Sequence, residues 1–412
     1  MSHAAMSDPA ASLRSHVPVP SLFILVCITL SGTFPLHVFV PALPSAAGDL
    51  HASAAGMGLT ITLYVIGLSI GQLVYGPLSD RYGRRPVLLA GLALFAVASV
   101  AAAFAPSLTG LEWARLAQAL GGCSGLVLGR AIARDSSGST SLIRRLATLS
   151  IAMAVATAVA PIIGAQIVEH LGWRSIFAAL SVVNVLVLFS VWLLVPETHT
   201  ASSDFRVSRY LKRYLTLLRS PAFVAHSLGG ASATTGIYAF LSASPFILES
   251  RLGLSTRAFG FAYFSLVVGL ATGQSTAKRL AGRVSARRAL IVASLIMGAA
   301  SISLLVSYLC DALSVTSVMA PMIVMFFATG LSSPFAISSA LDVDQTVTGA
   351  AAGLYGCLQM GYGALCTAAV GLSSGDPTIA MIGALLVSSA IAGLAFKSAP
   401  HAIVRADEEP MA

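Results

Sequence analysis

Few side chains in this sequence could do chemistry in an apolar setting, and each stands apart from its surroundings. Arg115 lies inside an apolar run that begins near residue 109, about 10 Å from its end if the run is helical. A guanidinium at that depth is costly, so it faces a partner or a cavity, or its stem carries the charge back to the headgroups. Glu112, at i−3, could be its ion partner, and Gln118, at i+3, extends a polar stripe along the same helical face. His37 is the titratable group in the deeper part of the first apolar run. Its charge change falls near neutral pH, so it could exchange protons; a neutral structural histidine is the equal alternative. Asp80 belongs to Gly76-Pro77-Leu78-Ser79-Asp80-Arg81-Tyr82-Gly83-Arg84-Arg85-Pro86, a charged loop between two apolar runs. A carboxylate there can accept hydrogen bonds and face a helix N-terminus; a solvated turn is the plain alternative. No nucleophile–base set, metal-ligand spacing or nucleotide loop occurs, so the sequence implies no enzyme, no cofactor and no metal. The cysteines, Cys27, Cys123, Cys310, Cys357 and Cys366, read as small buried hydrophobes.

The elements that position these groups follow from composition. The 412 residues are 56% hydrophobic and only 10% charged, too little charge to cover a soluble protein of this size. Apolar runs long enough to cross a bilayer recur along the whole chain. Twelve spans are predicted, at approximately 20–43, 56–78, 86–105, 109–133, 146–168, 173–195, 221–247, 258–277, 289–309, 314–339, 347–371 and 377–396. The first is too long for a signal peptide and reads as an uncleaved span. The longest polar interval, 196–220, holds Arg206, Arg209, Lys212, Arg213 and Arg219 and divides the chain six plus six.

Charge placement sets the topology. Of all the Lys and Arg residues, only Arg115, Arg174, Arg251 and Arg257 fall off one alternating set of loops and tails. That bias predicts both termini and the central loop in the cytoplasm of a multi-pass bacterial inner-membrane protein. The net charge of +8 is therefore addressed to lipid headgroups, not to nucleic acid. Trp113 and Trp173 are expected at the outer interface and Trp192 at the inner one. The two halves are related: Gly58, Gly67, Leu68, Gly71, Gln72, Leu78, Arg81 and Arg85 recur at constant displacement as Gly260, Gly269, Leu270, Gly273, Gln274, Leu280, Arg283 and Arg287. Gly282 stands where the second copy would carry Asp80, so that copy serves topology. Parallel repeats of this kind suit a rocking transporter. Gly121, Gly125 and Gly129, and likewise Gly349 and Gly353, are spaced for close helix packing.

The chain resembles the major facilitator superfamily, and within it the twelve-span drug:proton antiporters of the Bcr/CflA-type drug-resistance group. The charged loop at 76–85 carries the resemblance most specifically. Val40-Pro41-Ala42-Leu43-Pro44, Arg115-Leu116-Ala117-Gln118, Gly129 through Asp135, and Ala243-Ser244-Pro245-Phe246 with Leu252-Gly253-Leu254-Ser255 extend it over the whole chain. The resemblance implies an all-α membrane fold of two pseudo-symmetric six-helix bundles: a tail at 1–19, bundles at 20–195 and 221–396, a linker at 196–220 and a tail at 397–412. It implies a monomer that expels small amphipathic compounds, coupled to protons. Gly76, Asp80, Arg81, Gly83, Arg84, Arg85 and Asp135 would form the inner gate, with Asp80 meeting Thr346–Gly349 and Arg84 pairing with Asp135. His37, Glu112, Arg115 and Gln118 would serve coupling or the cavity. Pro161 and Gly164 stand at the fifth-span antiporter motif, where alanine replaces several family glycines; they could loosen the helix or simply pack it. Tyr238, Phe240, Tyr355 and Gln359 are expected to line the substrate cavity. The group commonly carries an acid where this chain has His37. A metabolite exporter or uptake permease of the same fold is the alternative function, and a non-transporting membrane sensor or structural protein the alternative of another class.

Overall fold

The structure, a computed structural model, describes residues 20–136, 139–199, 207–343, 348–373 and 376–399. Among these residues every regular element is a helix. The first half contains α1 (Leu22–Phe39), a 3₁₀ turn (Val40–Ala42), α2 (Leu43–Asp49), α3 (Ala54–Tyr82), α4 (Arg84–Ala103), α5 (Leu108–Asp135), α6 (Ser139–Leu171) and α7 (Arg174–Leu194). A short helix, α8 (Val207–Leu218), follows. The second half contains α9 (Pro221–Thr235), α10 (Tyr238–Pro245), a π-turn (Phe246–Arg251), α11 (Thr256–Leu280), α12 (Ala286–Leu309), α13 (Val315–Leu341), α14 (Thr348–Gly371) and α15 (Pro377–Ser398).

Local chemistry sets the helix starts. Ser53, Ser107, Ser255, Ser285 and Ser314 each accept a hydrogen bond from a backbone N–H in the first turn of α3, α5, α11, α12 and α13, and Asp376 does so for α15. Each such cap satisfies an otherwise orphaned donor and contributes about 1 kcal/mol.

Among the described residues ten helical segments are long and apolar enough to cross a membrane. The other two long helices, α11 and α14, are diluted by Gly, Ser, Thr and Gln, and both lie on the seam between the halves. The α14 helix packs along α3, and α11 packs along α6. A helix that faces protein on this side has less need of a lipid-soluble surface. Within the first half α5 is central and touches α1, α3 and α4; in the second half α13 touches α9, α11 and α12. The glycine spacing on α5 permits this. A Cβ on Gly125 would stand 2.1 Å from the Ile28 carbonyl oxygen of α1, and one on Gly121 2.4 Å from the Phe95 nitrogen of α4.

Four sequence expectations need correction. The interval 196–220 is not simply a polar linker, because it contains α8. The seventh span does not end near 247: it breaks after Thr235, resumes as α10 and runs through the π-turn to Arg251. Trp173 is not an interfacial anchor. It is buried, stacked near Phe39 and Phe177, and its indole N–H donates to Asp49 at 3.1 Å. Cys310 is exposed because it caps the end of α12, whereas Cys123 and Cys366 are buried as expected.

Candidate functional site

Two polar clusters sit at different depths of the first half. One lies at the end of the bundle that carries the 76–86 loop, called here the basic end. Gly83 turns the chain between α3 and α4 with φ +96°, a conformation strained for any residue with a Cβ. The turn brings Arg84 back over the last turn of α3. Its Nη1 donates to Asp80 Oδ1 at 2.6 Å and its Nε donates to Asp135 Oδ2 at 3.0 Å, so one guanidinium joins the ends of α3, α4 and α5. Asp80 also accepts a hydrogen bond from the Tyr210 hydroxyl on α8. Burial and the Asp80 carboxylate beside it push the Tyr210 phenol up to about 12, so it stays a donor at neutral pH. Arg81 lies over the Tyr82 ring at 4.8 Å, and Arg85 Nη2 donates to the Trp192 carbonyl. Gly76, Asp80 and Arg84, with Arg130, Arg134, Arg213 and Tyr214, line a polar cavity of about 370 Å³ that reaches Gly353 on α14. Of the expected partner of Asp80 at Thr346–Gly349, residues 346 and 347 lie outside the described residues, and Thr348 and Gly349 open α14.

Sequence reasoning missed Glu197. Its carboxylate accepts from the Arg84 and Arg85 backbone N–H groups at 2.9 and 3.1 Å, and so caps the N-terminus of α4. A negative charge is favoured at a helix N-terminus. A Cβ on Gly83 would meet Glu197 Oε2 at 2.5 Å, so the glycine admits the carboxylate as well as the turn. The available signal was a lone acid just beyond a span, facing a loop of arginines.

The second cluster surrounds Arg115, which is fully buried. This excludes the route by which its stem would carry the charge to the headgroups. The expected Glu112 pairing is also absent. Among the described residues Arg115 has no carboxylate partner; its Nη1 donates to Gln118 Oε1 at 2.6 Å and to the Pro35 carbonyl at 3.3 Å. The guanidinium lies 4.0 Å from the Tyr64 ring centre, 5.1 Å from Phe39 and 5.6 Å from Phe177. Aromatic faces carry negative electrostatic potential and here replace the counter-ion. Gln118 passes the network on, donating to Ser99 Oγ at 2.8 Å, and Tyr64 donates to the Gly32 carbonyl at 2.8 Å. Among the described residues Arg115 Nε and Nη2 have no hydrogen-bond partner. Glu112 shares the helical face by spacing, but Tyr64 arrives from α3 and occupies the contact.

His37, on α1, is buried at the seam, and its Nδ1 lies 3.5 Å from the Tyr263 hydroxyl of α11 in the other half. Pro161 faces the same seam, whereas Gly164 faces α1 inside the first half. The α6 helix is continuous through Pro161, whose carbonyl faces Gly260, and Gly164 lies against the Val38 carbonyl. The residues expected to line the substrate cavity are packed within the helices. Phe240 is fully enclosed and Tyr355 is buried against Gly230. Gln359 donates to Thr234 Oγ1 at 2.7 Å, and Tyr238 packs against Gly363 and Met360. All four lie on α10 and α14, and none lines the two cavities at the basic end and on the flank of the first half. Helical spacing alone could not say which face of α14 turns to α9 and which to α3.

The profile of the Major Facilitator Superfamily matches residues 22–367. The chain belongs to this superfamily. It is 29% identical over 84% of its length to the multidrug resistance protein D of Escherichia coli, covering 86% of that protein. It is 26% identical over 90% of its length to a bicyclomycin resistance protein homolog of Haemophilus influenzae, covering 95% of it. Among solved structures a D-xylose–proton symporter matches with a TM-score of 0.72 at 16% identity, over 91% of this chain and 95% of that one, a likeness of fold alone. This is a membrane transporter of small molecules and not an enzyme.

Proposed function

We propose that this transporter exports small amphipathic drugs or related compounds across the bacterial inner membrane in exchange for protons, as a monomer with both termini in the cytoplasm. The bodies 20–195 and 221–396 would rock about the α3–α14 and α6–α11 seams, joined by the 196–220 linker and flanked by tails at 1–19 and 397–412. The observation that carries the mechanism is the Arg84 bridge to both Asp80 and Asp135. Such a cluster fixes the basic end of the first half beside the α3–α14 seam, and Tyr210 on α8 ties it to the linker. The surface it presents to the second half and the linker would differ between the two end states, which is how a charge network biases a two-state element. The gate set is Gly76, Asp80, Arg81, Gly83, Arg84, Arg85 and Asp135, to which Glu197 and Tyr210 are added. Arg115 and Gln118 form the coupling core of the first half. His37, which touches the opposite half, and Glu112, near the other end of α5, are the groups that exchange protons.

The drug-efflux reading is supported by the resistance functions for which the two relatives are named. Expression in a host stripped of its own efflux pumps tests it. Raised resistance to several chemically unrelated amphipathic compounds supports export. Rescue of growth on a single nutrient, with no change in resistance, would replace it with uptake.

A further inference from the structure

A second cavity, separate from both polar clusters, opens on the flank of the first half between α1, α4, α6 and α7. Its volume is about 370 Å³, within the range that holds a small organic molecule. No charged residue lines it. Ile163 and Val183 at its rim are exposed on the apolar girth of the helices, so it is reached from the hydrocarbon and not from water. The wall is aliphatic and aromatic, with Phe34, Phe95 and Leu180 among its residues.

Asn184 interrupts this wall. Its residue is 3% exposed, and its Nδ2 donates to the Leu92 carbonyl at 2.7 Å. That bond fixes the amide orientation, since the reverse assignment would set two oxygens together. Among the described residues Oδ1 has no donor. A buried amide oxygen with no partner is costly, and the bilayer core has no water to supply one. Ser31, also in the wall, spends its hydroxyl proton on the Ile28 and Gly122 carbonyls and cannot serve as that donor. The wall therefore combines an apolar volume, no charge and, just beneath its surface at Asn184, one acceptor without a donor.

We propose that this flank cavity is a binding site for an uncharged, membrane-dissolved amphiphile that donates one hydrogen bond, from a hydroxyl or N–H group, to Asn184 Oδ1. A cation is disfavoured because no acid lines the wall, and an anion because no base does. Pro35 and Ser31 floor the cavity on α1, and the Pro35 carbonyl accepts from Arg115 on the opposite side. An occupant thus presses on the helix that holds the Arg115 network. Such an amphiphile has two sources, cargo awaiting export or a constituent of the membrane, and the chemistry of recognition is the same for both.

The test uses the full-length protein in lipid nanodiscs and a long-chain alcohol bearing a mid-chain diazirine, with adducts mapped by mass spectrometry. Adducts should concentrate on the α1 and α7 peptides that contain Ser31 and Asn184. They should saturate, and excess 1-dodecanol should compete while its methyl ether, which has no donor, should not. Asn184→Leu keeps the volume and removes the acceptor, and should lower labelling at least fivefold. Ala179→Phe fills the cavity from its exposed rim without touching the Asn184 hydrogen bond, and should do the same if Asn184→Leu folds poorly. Efflux of the alcohol from proteoliposomes identifies the occupant as cargo; saturable labelling without efflux identifies it as a membrane constituent, and either outcome supports the site. Labelling spread evenly over the lipid-facing helices, or unchanged in both variants, overturns it, whatever becomes of the export reading.

Discussion

A single buried cation anchors the first half, and its surroundings decide what replaces it. Arg115 is held by two acceptors and the faces of Tyr64, Phe39 and Phe177. Lysine keeps the charge but lacks the planar fork that reaches Gln118 and Pro35 together. Arg115→Lys and Arg115→Ala should therefore both lower transport by more than about tenfold, equivalent to about 1.4 kcal/mol. Arg219→Ala, on the polar interval, should leave transport near the parent rate; equal losses in flux assays would refute the contrast. His37 makes a second residue-scale prediction. A carboxylate at this seam would be negative until protonated, whereas imidazole is neutral until protonated and then repels a cation. The parent should favour uncharged or anionic substrates, and His37→Asp should shift a resistance panel towards cations. An unchanged panel with an unchanged pH profile would make His37 structural. At this scale the sequence made visible the individual groups but not their partners. Arg84 with Asp135 was legible through the resembling motif. Glu197 was not, because one acid after a span is indistinguishable from a solvated loop residue, and the Glu112–Arg115 pairing failed because spacing on one helix says nothing of what a second helix inserts.

Helix α8 is the element that sequence reading passed over, since a run of arginines and lysines concealed its amphipathic period. Tyr210, Tyr214 and Leu217 recur at i, i+4 and i+7 and dock it beneath the α3–α14 seam. Tyr210→Phe removes the hydrogen bond to Asp80 while keeping the ring. It should slow transport several-fold without lowering expression, and the loss should be the same from about pH 6 to 9, because the phenol titrates far above its usual value near 10. A loss that appears only on one side of neutrality would show that another group controls this contact. At the start of α4, Gly83→Ala combines a positive φ with extended ψ, a conformation essentially confined to glycine that costs about 1–3 kcal/mol with a Cβ, with a collision against Glu197. Thermal unfolding in detergent should fall by several degrees, and by less for Glu197→Gln, which keeps an acceptor at the helix end. Equal melting temperatures for Gly83→Ala and the parent would deny the turn this importance. The apolar runs themselves were fully legible, because bilayer thickness dictates their length. The π-turn and the break after Thr235 were not, since a Gly/Ser/Thr-rich stretch and one Glu and one Arg at a span end are compatible with a continuous α-helix as well as with an interrupted one.

For the molecule as a whole, the internal repeat and the alternation of basic loops foretold two related bundles before any packing was known. What they could not foretell is which surfaces meet: α11 and α14 are recognisable as seam helices only once α6 and α3 are placed against them. Those seams give alternating access its geometry. Asp80→Asn keeps the fold but weakens the Arg84 bridge and the Tyr210 contact from α8, so the arrangement of the basic end beside the α3–α14 seam should be held less firmly. Transport should fall while binding of substrate is retained, and near-normal flux at normal expression would remove the cluster from the gate. The claim that joins all three scales is that substrate and proton movements are obligately exchanged. Purified protein in proteoliposomes, loaded with a pH-sensitive dye and challenged with a panel of amphipathic compounds, measures this directly. Proton exchange requires that several unrelated compounds each trigger proton movement opposite to their own, that collapse of the gradient by a protonophore stops their accumulation, and that Arg115→Ala abolishes both. Accumulation of compounds that persists without a proton gradient, with no dye response in the parent protein, would contradict it.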